Sequence, residues 1–403
     1  MDFSFWDFFQ GLYSFALMDP LAAGVRFLLI VLGLLFIYLG YRKTLEPLLM
    51  IPMGIGMVAV NAGVLIWSGN QTGTLFVDPL VSEHEQLLNT LQINFLQPIY
   101  NFTFSNGLIA CLVFLGIGAI TDLDYLIARP MMSMMIALAA ELGTILTLPI
   151  GVAVGLTPNE AASIALVGGA DGPMVLFGSL KLAPDLFVPI TVVAYLYLSL
   201  CYAGYPYLIK LLIPKRLRGI EMDPAAIPEV SAGKKFAFAI IAVAVLSILF
   251  PVAAPLFACF FLGVAVKESG ITRYIELLSG PVLYGSTLFL GLVLGSLLSA
   301  EVILDSKVLL LLGLGMLALL LSGIGGLIGG LIYYKLSKKK VNPLIGIAGV
   351  SCVPTTAKVA QKCAQEANVF AMILPYAMGP CVAGVITTAI ITGIYVSGVP
   401  SFF

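Results

Sequence analysis

The sequence predicts an all-α membrane protein of about ten transmembrane helices, arranged as two inverted repeats that each carry a broken, re-entrant helix. Three observations predict it: extreme apolarity, long apolar runs, and a self-match in which glycine and proline interrupt a hydrophobic stretch at corresponding places. The chain has 403 residues, of which 60% are hydrophobic and 10% charged, and its mean hydropathy is +1.07. One soluble core cannot hide that much apolar surface, so the bilayer must act as solvent. Val25 to Tyr41, Met131 to Leu156, Leu186 to Ile213 and Val308 to Tyr334 reach or approach the ~20 apolar residues that cross ~30 Å of hydrocarbon.

Near the N-terminus, Asp2, Asp7 and Asp19 stand without a nearby Lys or Arg, unlike the basic start of a secretory signal. Residues 1–20, with Phe3, Phe5, Trp6, Phe8, Phe9, Tyr13 and Phe15, read as an interfacial segment or an ordinary packing helix. A net charge of −1 and the lack of a long basic tract exclude a nucleic-acid partner. Cys111, Cys201, Cys259, Cys352, Cys363 and Cys381 lack the paired spacing of a zinc or dithiol site and read as small buried hydrophobes.

Shifting the chain by 181 residues lays Ile164-Ala-Leu-Val-Gly-Gly-Ala-Asp-Gly-Pro173 on Ile345-Gly-Ile-Ala-Gly-Val-Ser-Cys-Val-Pro354, with Lys181 on Lys362. Pro47-Leu-Leu resembles Pro255-Leu-Phe, and Val113-Phe-Leu-Gly116 resembles Leu288-Phe-Leu-Gly291, in the same order. The repeats are therefore placed at 21–213 and 236–403, joined by a linker at 214–235. Segment 68–105 has no Lys or Arg, whereas Arg42, Lys43, Arg129, the loop Lys215 to Lys235, Lys267, Arg273 and the run Lys335 to Lys340 are basic. All of these fall on the cytoplasmic side if each half crosses five times and the broken segments, roughly 160–180 and 343–363, return to the side they entered. Both termini then lie outside.

Non-helical backbone at membrane depth is tolerated only against protein or a water-filled cavity, so two breaks imply a shared site. Asp171 sits at the first. An intramembrane carboxylate costs ~2.5–3.5 kcal/mol on insertion scales, which points to a cation or proton site, with hard oxygen chemistry suited to Na⁺. Its plainer role is to cap the half-helix that begins near Pro173. Asn342 and Ser351 on the second break offer neutral oxygens, or serve as a helix start and a packing residue. Tyr195 and Tyr197 lie on the following helix, on different faces; Tyr195 matches Tyr376 across the repeat, and a phenol beside Asp171 can donate a proton. Glu141 is a second intramembrane acid and a candidate for the ion path, or a partner of a neighbouring helix. Asp122, Asp124, Glu301 and Asp305 read as solvated helix ends, and His84 as a solvated loop residue. No Ser-His-Asp set, phosphate-cradling loop or zinc cluster is evident.

At Gly168-Gly-Ala-Asp-Gly-Pro173 and Lys181-Leu-Ala-Pro184 the chain resembles the β subunit of the sodium-pumping biotin-dependent decarboxylases, which serve oxaloacetate, methylmalonyl-CoA, glutaconyl-CoA or malonate decarboxylases. The resemblance runs through Gly116-Ile-Gly-Ala-Ile-Thr-Asp122, Glu160-Ala-Ala-Ser-Ile164, Lys267-Glu-Ser-Gly270, Asn342-Pro-Leu-Ile-Gly346, Gly349-Val-Ser351 and Ala377-Met-Gly-Pro380. It implies a carboxybiotin decarboxylase subunit of the bacterial cytoplasmic membrane that exports Na⁺. It further implies a carboxyltransferase α-type subunit, a biotin carrier and a small membrane γ-type subunit as partners, and a homo-oligomer such as a trimer. Residue by residue, Asp171 resembles the family's sodium-binding aspartate, and Asn342, Gly346 and Ser351 its second conserved region. Tyr197 matches the tyrosine on the following helix; Ser351 or Tyr197 would handle the proton delivered to carboxybiotin. Cys381 stands where the family's Met-Gly-Pro-Asn motif has an Asn, replacing an expected oxygen ligand with a thiol, and Leu198–Gly204 and Gly295–Glu301 also diverge. A sodium- or proton-coupled carboxylate transporter, or a paralogue with altered ion coupling, fits the same residues.

Single cysteines placed at Thr72 and Lys338 in a background free of native cysteine are expected to react with impermeant reagents from opposite sides of the membrane. Labelling of both from one side would contradict the inverted arrangement.

Overall fold

The computed structural model describes residues 10–66, 72–78, 90–223, 227–304 and 306–402. Phe3, Phe5, Trp6, Phe8, Phe9, His84 and Asp305 lie outside the described residues, as does the side chain of Glu301. The structure is helical, apart from a short antiparallel hairpin that pairs Val64–Ile66 with Thr72–Thr74. Among the described residues, seven helices are long and apolar enough to cross a membrane, or up to nine if two bent helix pairs each count as one span. The apolar runs become Pro20–Tyr41, Pro130–Ala153, Phe187–Leu212 and Ser306–Leu336.

Helix Ala232–Leu249 shows why the solvent must be lipid. Only Ala239 is buried along it, while Ile240, Ile241, Val245, Ile248 and Leu249 face outward. In water such a face would be an aggregation surface; in a bilayer it is the ordinary exterior of a spanning helix.

The chain divides into two compact units. The first comprises Met1–Ile109 with Gly285–Leu310. Here Asp19 caps helix Pro20–Tyr41 by accepting from the backbone N–H groups of Leu21 and Ala22, at 3.0 and 3.2 Å. That helix packs closely on Pro47–Ala62 at Gly33 and Gly54, where a Cβ on Gly54 would meet the Gly33 carbonyl and Ile37 at 2.7 Å each. Asn61, fully buried, donates to the carbonyls of Met57 (2.9 Å) and Leu298 (2.7 Å). Small residues and amide glue hold the helices together, because apolar burial gives no preference for protein over lipid.

The second unit comprises Ala110–Tyr284 with Leu311–Phe403 and contains both helix breaks. The first broken segment opens at Thr157, which forms a reciprocal capping box with Glu160 and has Pro158 in the first turn, where a missing N–H is harmless. Helix Pro158–Ala165 tightens into a 3₁₀ turn over Leu166–Gly169, and a second helix runs from Gly172 to Leu182. The second broken segment begins at Asn342, passes through a 3₁₀ stretch over Pro343–Gly349, and resumes as helix Thr355–Gln365. These units group neighbours in space and draw on both halves of the chain, so they are a different division from the repeat boundaries.

The linker folds against the second broken segment. Asn342 Nδ2 donates to the carbonyls of Arg218 (2.8 Å) and Ile220 (2.9 Å), and Asn368 Nδ2 to that of Gly219 (3.1 Å). The Tyr376 hydroxyl donates to the Asp223 carbonyl. Asp124 is not simply solvated as expected: it accepts from the Val230 N–H and pairs with Lys235 at 3.1 Å, because the linker's return brings a cation over this helix start.

Gly54→Val is expected to lower the stability of the detergent-solubilised protein by about 1–3 kcal/mol, the usual cost of overpacking a close contact. Thermal unfolding monitored by size-exclusion chromatography would measure it; a wild-type profile would refute the close approach.

Candidate functional site

Two residues make the first break. Ala170 adopts a left-handed conformation, φ +55°, which costs a non-glycine residue about 1–2 kcal/mol. Asp171 follows in extended conformation, and its Oδ1 accepts from the Met174 N–H at 3.2 Å, capping helix Gly172–Leu182. The plainer role of Asp171 is thus real. It does not account for the choice of a charged side chain, since Ser or Asn caps equally well. Asp171 is only 4% exposed.

The second break meets the first at a single carbonyl. The Ser351 N–H donates to Gly169 O at 3.0 Å and the Ser351 hydroxyl donates to the same oxygen at 2.7 Å. Thr356 Oγ1 in turn donates to the Val350 carbonyl at 2.7 Å. The exposed Gly169 carbonyl of one break and the Ser351 N–H of the other are thus paired with each other, as burial away from water requires. Ser351 thus lies against the backbone two residues before Asp171.

Tyr195 completes this corner. The hydroxyl end of its ring abuts Gly172, where a Cβ would meet the ring at 2.5 Å and the hydroxyl at 2.8 Å, so a larger residue would have to displace the ring. The phenol lies beside Asp171, is buried, and has no hydrogen-bond partner in the structure. An unpaired buried hydroxyl next to a carboxylate is the kind of group that a bound cation or transferred proton would satisfy. Tyr197, on another face, donates its hydroxyl to the Leu312 carbonyl at 2.7 Å and packs on Gly315.

The other sequence-expected residues are dispersed. Asn342 is fully buried at the start of the second segment, where its oxygen accepts from the Leu344 N–H at 3.0 Å and its amide binds the linker carbonyls. Gly346 serves close packing against Gly326 and Gly330 of helix Ser306–Leu336. Cys381 is buried with Sγ 3.7 Å from Thr356 Oγ1. All six cysteines are free, and no cluster of His, Cys, Asp and Glu able to hold a metal occurs among the described residues.

Sequence reasoning missed the hydroxyls of the last helix, Leu374–Phe402. Thr387, Thr388 and Thr392 are buried there, and Thr388 Oγ1 lies 3.3 Å from Ser351 Oγ. Their signal was available: Gly384-Val-Ile-Thr-Thr-Ala-Ile-Ile-Thr392 places three hydroxyls within an otherwise apolar span.

Residues 25–399 match the family model described as the Na⁺-transporting oxaloacetate decarboxylase beta subunit. The chain belongs to that family. Among its relatives, a carboxybiotin decarboxylase of Malonomonas rubra is 56% identical over 96% of this chain and 97% of its own length. The methylmalonyl-CoA decarboxylase subunit beta of Propionigenium modestum is 35% identical over 92% and 94%. The oxaloacetate decarboxylase beta chain of Haemophilus ducreyi is 33% identical over 91% and 93%. A member of the Na⁺-transporting decarboxylase beta family with these apolar helices is a multi-pass membrane protein and a decarboxylase subunit, and the carboxylate at the joined breaks is the feature of its interior to be explained.

Asn342→Ala would strand the Arg218 and Ile220 carbonyls and the Leu344 N–H. A loss of about 2–4 kcal/mol follows from that many buried groups left unpaired, read as a lowered thermal midpoint in detergent. A change confined to ion affinity, with unaltered stability, would show that the amide's bonds to the linker are unimportant.

Proposed function

We propose that this chain releases CO₂ from carboxybiotin presented by a partner subunit and couples that step to Na⁺ export by alternating access around Asp171. The observation that carries this reading is the joint between the two breaks, which sets the Asp171 carboxylate beside the Ser351 hydroxyl and the unpartnered Tyr195 phenol. Hard oxygen donors of this kind suit an alkali cation, and broken helices are where secondary transporters hold small ions.

Ten crossings are reached by adding Pro47–Ala62, a shorter apolar helix, to the nine spans. Five then precede the linker and five follow it, with 158–182 and 343–365 as the two re-entrant segments of an inverted pair. Both termini lie outside on this reading, and the basic linker lies in the bacterial cytoplasm. The repeats 21–213 and 236–403 supply the two bodies that rock around the site.

Decarboxylation of carboxybiotin consumes one proton. Ser351 is the better placed of the two candidates to pass it on, since it borders Asp171, whereas the Tyr197 hydroxyl is committed to the Leu312 carbonyl. Asn342, Gly346 and Cys381 act around the ion site through backbone position and packing. On the linker side, an open cleft of about 410 Å³ lined by Lys358, Gln361, Lys362, Gln365 and Glu366 offers ammonium groups to an anionic carboxybiotin. Each exported charge costs ~2.3 kcal/mol per 100 mV, a scale that decarboxylation can drive for one or two ions. The carboxyltransferase α-type subunit, the biotin carrier, the γ-type subunit and a trimeric assembly complete the proposal.

Asp171→Asn keeps the helix cap and removes the charge. It is expected to lower Na⁺-stimulated decarboxylation of free carboxybiotin by the membrane complex at least about 100-fold, the scale set by losing a group that acts directly in the step. Turnover that is independent of Na⁺ and unaffected by the substitution would refute coupling at Asp171.

A further inference from the structure

Glu141 is the second buried acid of this unit and the mechanism above does not use it. It stands where span Pro130–Ala153 is interrupted, between helices Pro130–Ala140 and Leu142–Ala153, and is 1% exposed. Its Oε2 accepts from Thr144 Oγ1 at 2.6 Å, and its Oε1 accepts from Thr388 Oγ1 and, at 3.3 Å, from Thr387 Oγ1. An ionised carboxyl only accepts, so three hydroxyl donors on its two oxygens match the charged form. Among the described residues no lysine or arginine pairs with it. A carboxylate so enclosed needs a balancing positive charge.

The groups around Glu141 are those of a hard-cation site. Two carboxyl oxygens and three hydroxyl oxygens converge from the interrupted span and the last helix, Leu374–Phe402, and oxygen donors of this kind suit an alkali ion. A hydroxyl keeps two lone pairs besides its proton, and two of these protons have a second acceptor in reach. Thr387 Oγ1 lies 3.0 Å from the Gly384 carbonyl, and Thr388 Oγ1 lies 3.3 Å from Ser351 Oγ. Both threonines can therefore turn their oxygens on a cation without stranding a proton. Backbone contact fixes the arrangement: an added Cβ on Gly168 would meet the Thr144 N at 2.5 Å, and one on Gly169 would meet the Thr388 side chain at 2.4 Å. Two further hydroxyls near this span, Thr147 Oγ1 and Ser163 Oγ, are fully buried and have no hydrogen-bond partner among the described residues. Thr147 lies one turn beyond Thr144. Ser163 lies on helix Pro158–Ala165, which packs on the same span where a Cβ on Gly151 would meet Ala161 at 2.9 Å. Buried oxygens left without a partner are the groups that an ion passing along this helix pair would satisfy.

We propose that Glu141, with the hydroxyls of Thr144, Thr387 and Thr388, binds a second Na⁺, separate from the ion at Asp171. The inference rests on the decarboxylase reading, which supplies the ion. Thr388 ties the new site to the joint between the two breaks, since its hydroxyl reaches Glu141 on one side and Ser351 on the other. A movement at that joint, which alternating access requires, displaces a ligand of the second site, so that its affinity changes with the state of the first. The ion itself balances the Glu141 charge, and no covalent bond is made or broken. The Thr144 carbonyl is already covered by the Tyr395 hydroxyl at 3.0 Å, which leaves the side-chain oxygen of Thr144 as its contribution to the site.

The test is equilibrium binding of radioactive Na⁺ to the complete membrane complex in detergent, with Na⁺-dependent decarboxylation of free carboxybiotin measured on the same preparations. At saturation, Glu141→Gln and Asp171→Asn should each bind one Na⁺ fewer per chain than wild type, and the double variant should lose both. In the Asp171→Asn background, where only the Glu141 site remains, Thr144→Val should raise the half-saturating Na⁺ at least about tenfold, and Thr144→Ser, which keeps the hydroxyl, should stay within about threefold of that background. Equal binding by wild type and Glu141→Gln overturns the inference and leaves a proton as the balancing charge. So does a Thr144→Ser effect as large as that of Thr144→Val, which marks packing in place of ligation. If Glu141→Gln does not assemble, the two Thr144 variants decide alone. Wild-type decarboxylation that is independent of Na⁺ overturns instead the reading on which the inference rests, and the binding counts still decide the Glu141 site.

Discussion

One carbonyl organises the interior of the larger unit. Gly169 O ends the first 3₁₀ turn with no helical partner, and it accepts both the N–H and the hydroxyl of Ser351, 182 positions away. Backbone in an apolar interior must be paired, since an orphaned group costs free energy comparable to a lost hydrogen bond. A break in one helix is therefore tolerated only if something polar covers it. Here the covering group belongs to a second break, so each interruption stabilises the other and the two cannot be separated without exposing both.

From this joint the rest of the site follows. Tethering Ser351 to Gly169 fixes the backbone from which Asp171 projects two residues later. The left-handed Ala170 turns the chain so that Asp171 caps the next helix while its carboxyl stays buried. Gly172 admits the Tyr195 ring because it carries no Cβ. Thr388, against Gly169, then connects the joint to Glu141. What results is a compact polar centre inside an otherwise apolar bundle, where hydrogen bonds and charges act in a low dielectric and unpaired ones are costly. A change of one charge there would alter the balance of the whole centre.

Positions that the 181-residue shift aligns are used differently. Tyr195 stands at the buried carboxylate, while its counterpart Tyr376 reaches the linker carbonyl of Asp223. Asp171 faces Cys352 in the self-match, so one break carries charge and the other does not. The second break instead secures the linker through Asn342 and presents Lys358 and Lys362 outward on its helix. The first break carries the buried carboxylate, and the second fixes the linker and presents a basic edge.

The sequence by itself determined the class of the molecule and the identity of its central charge. Composition is a sum over residues, apolar runs and Gly/Pro interruptions are local, and the motif around Asp171 is contiguous; none of these needs a third dimension to be read. Only the tertiary structure decided which polar groups meet. It chose Tyr195 over Tyr197 as the neighbour of Asp171, committed the Asn342 amide to the linker, and linked Glu141 to Ser351 through Thr388. The pairings through Thr388 join positions 37 and 247 residues apart, and all of them depend on helix rotation and close glycine packing. A change of one residue in helical phase would redirect every side chain concerned, and no local pattern encodes that phase.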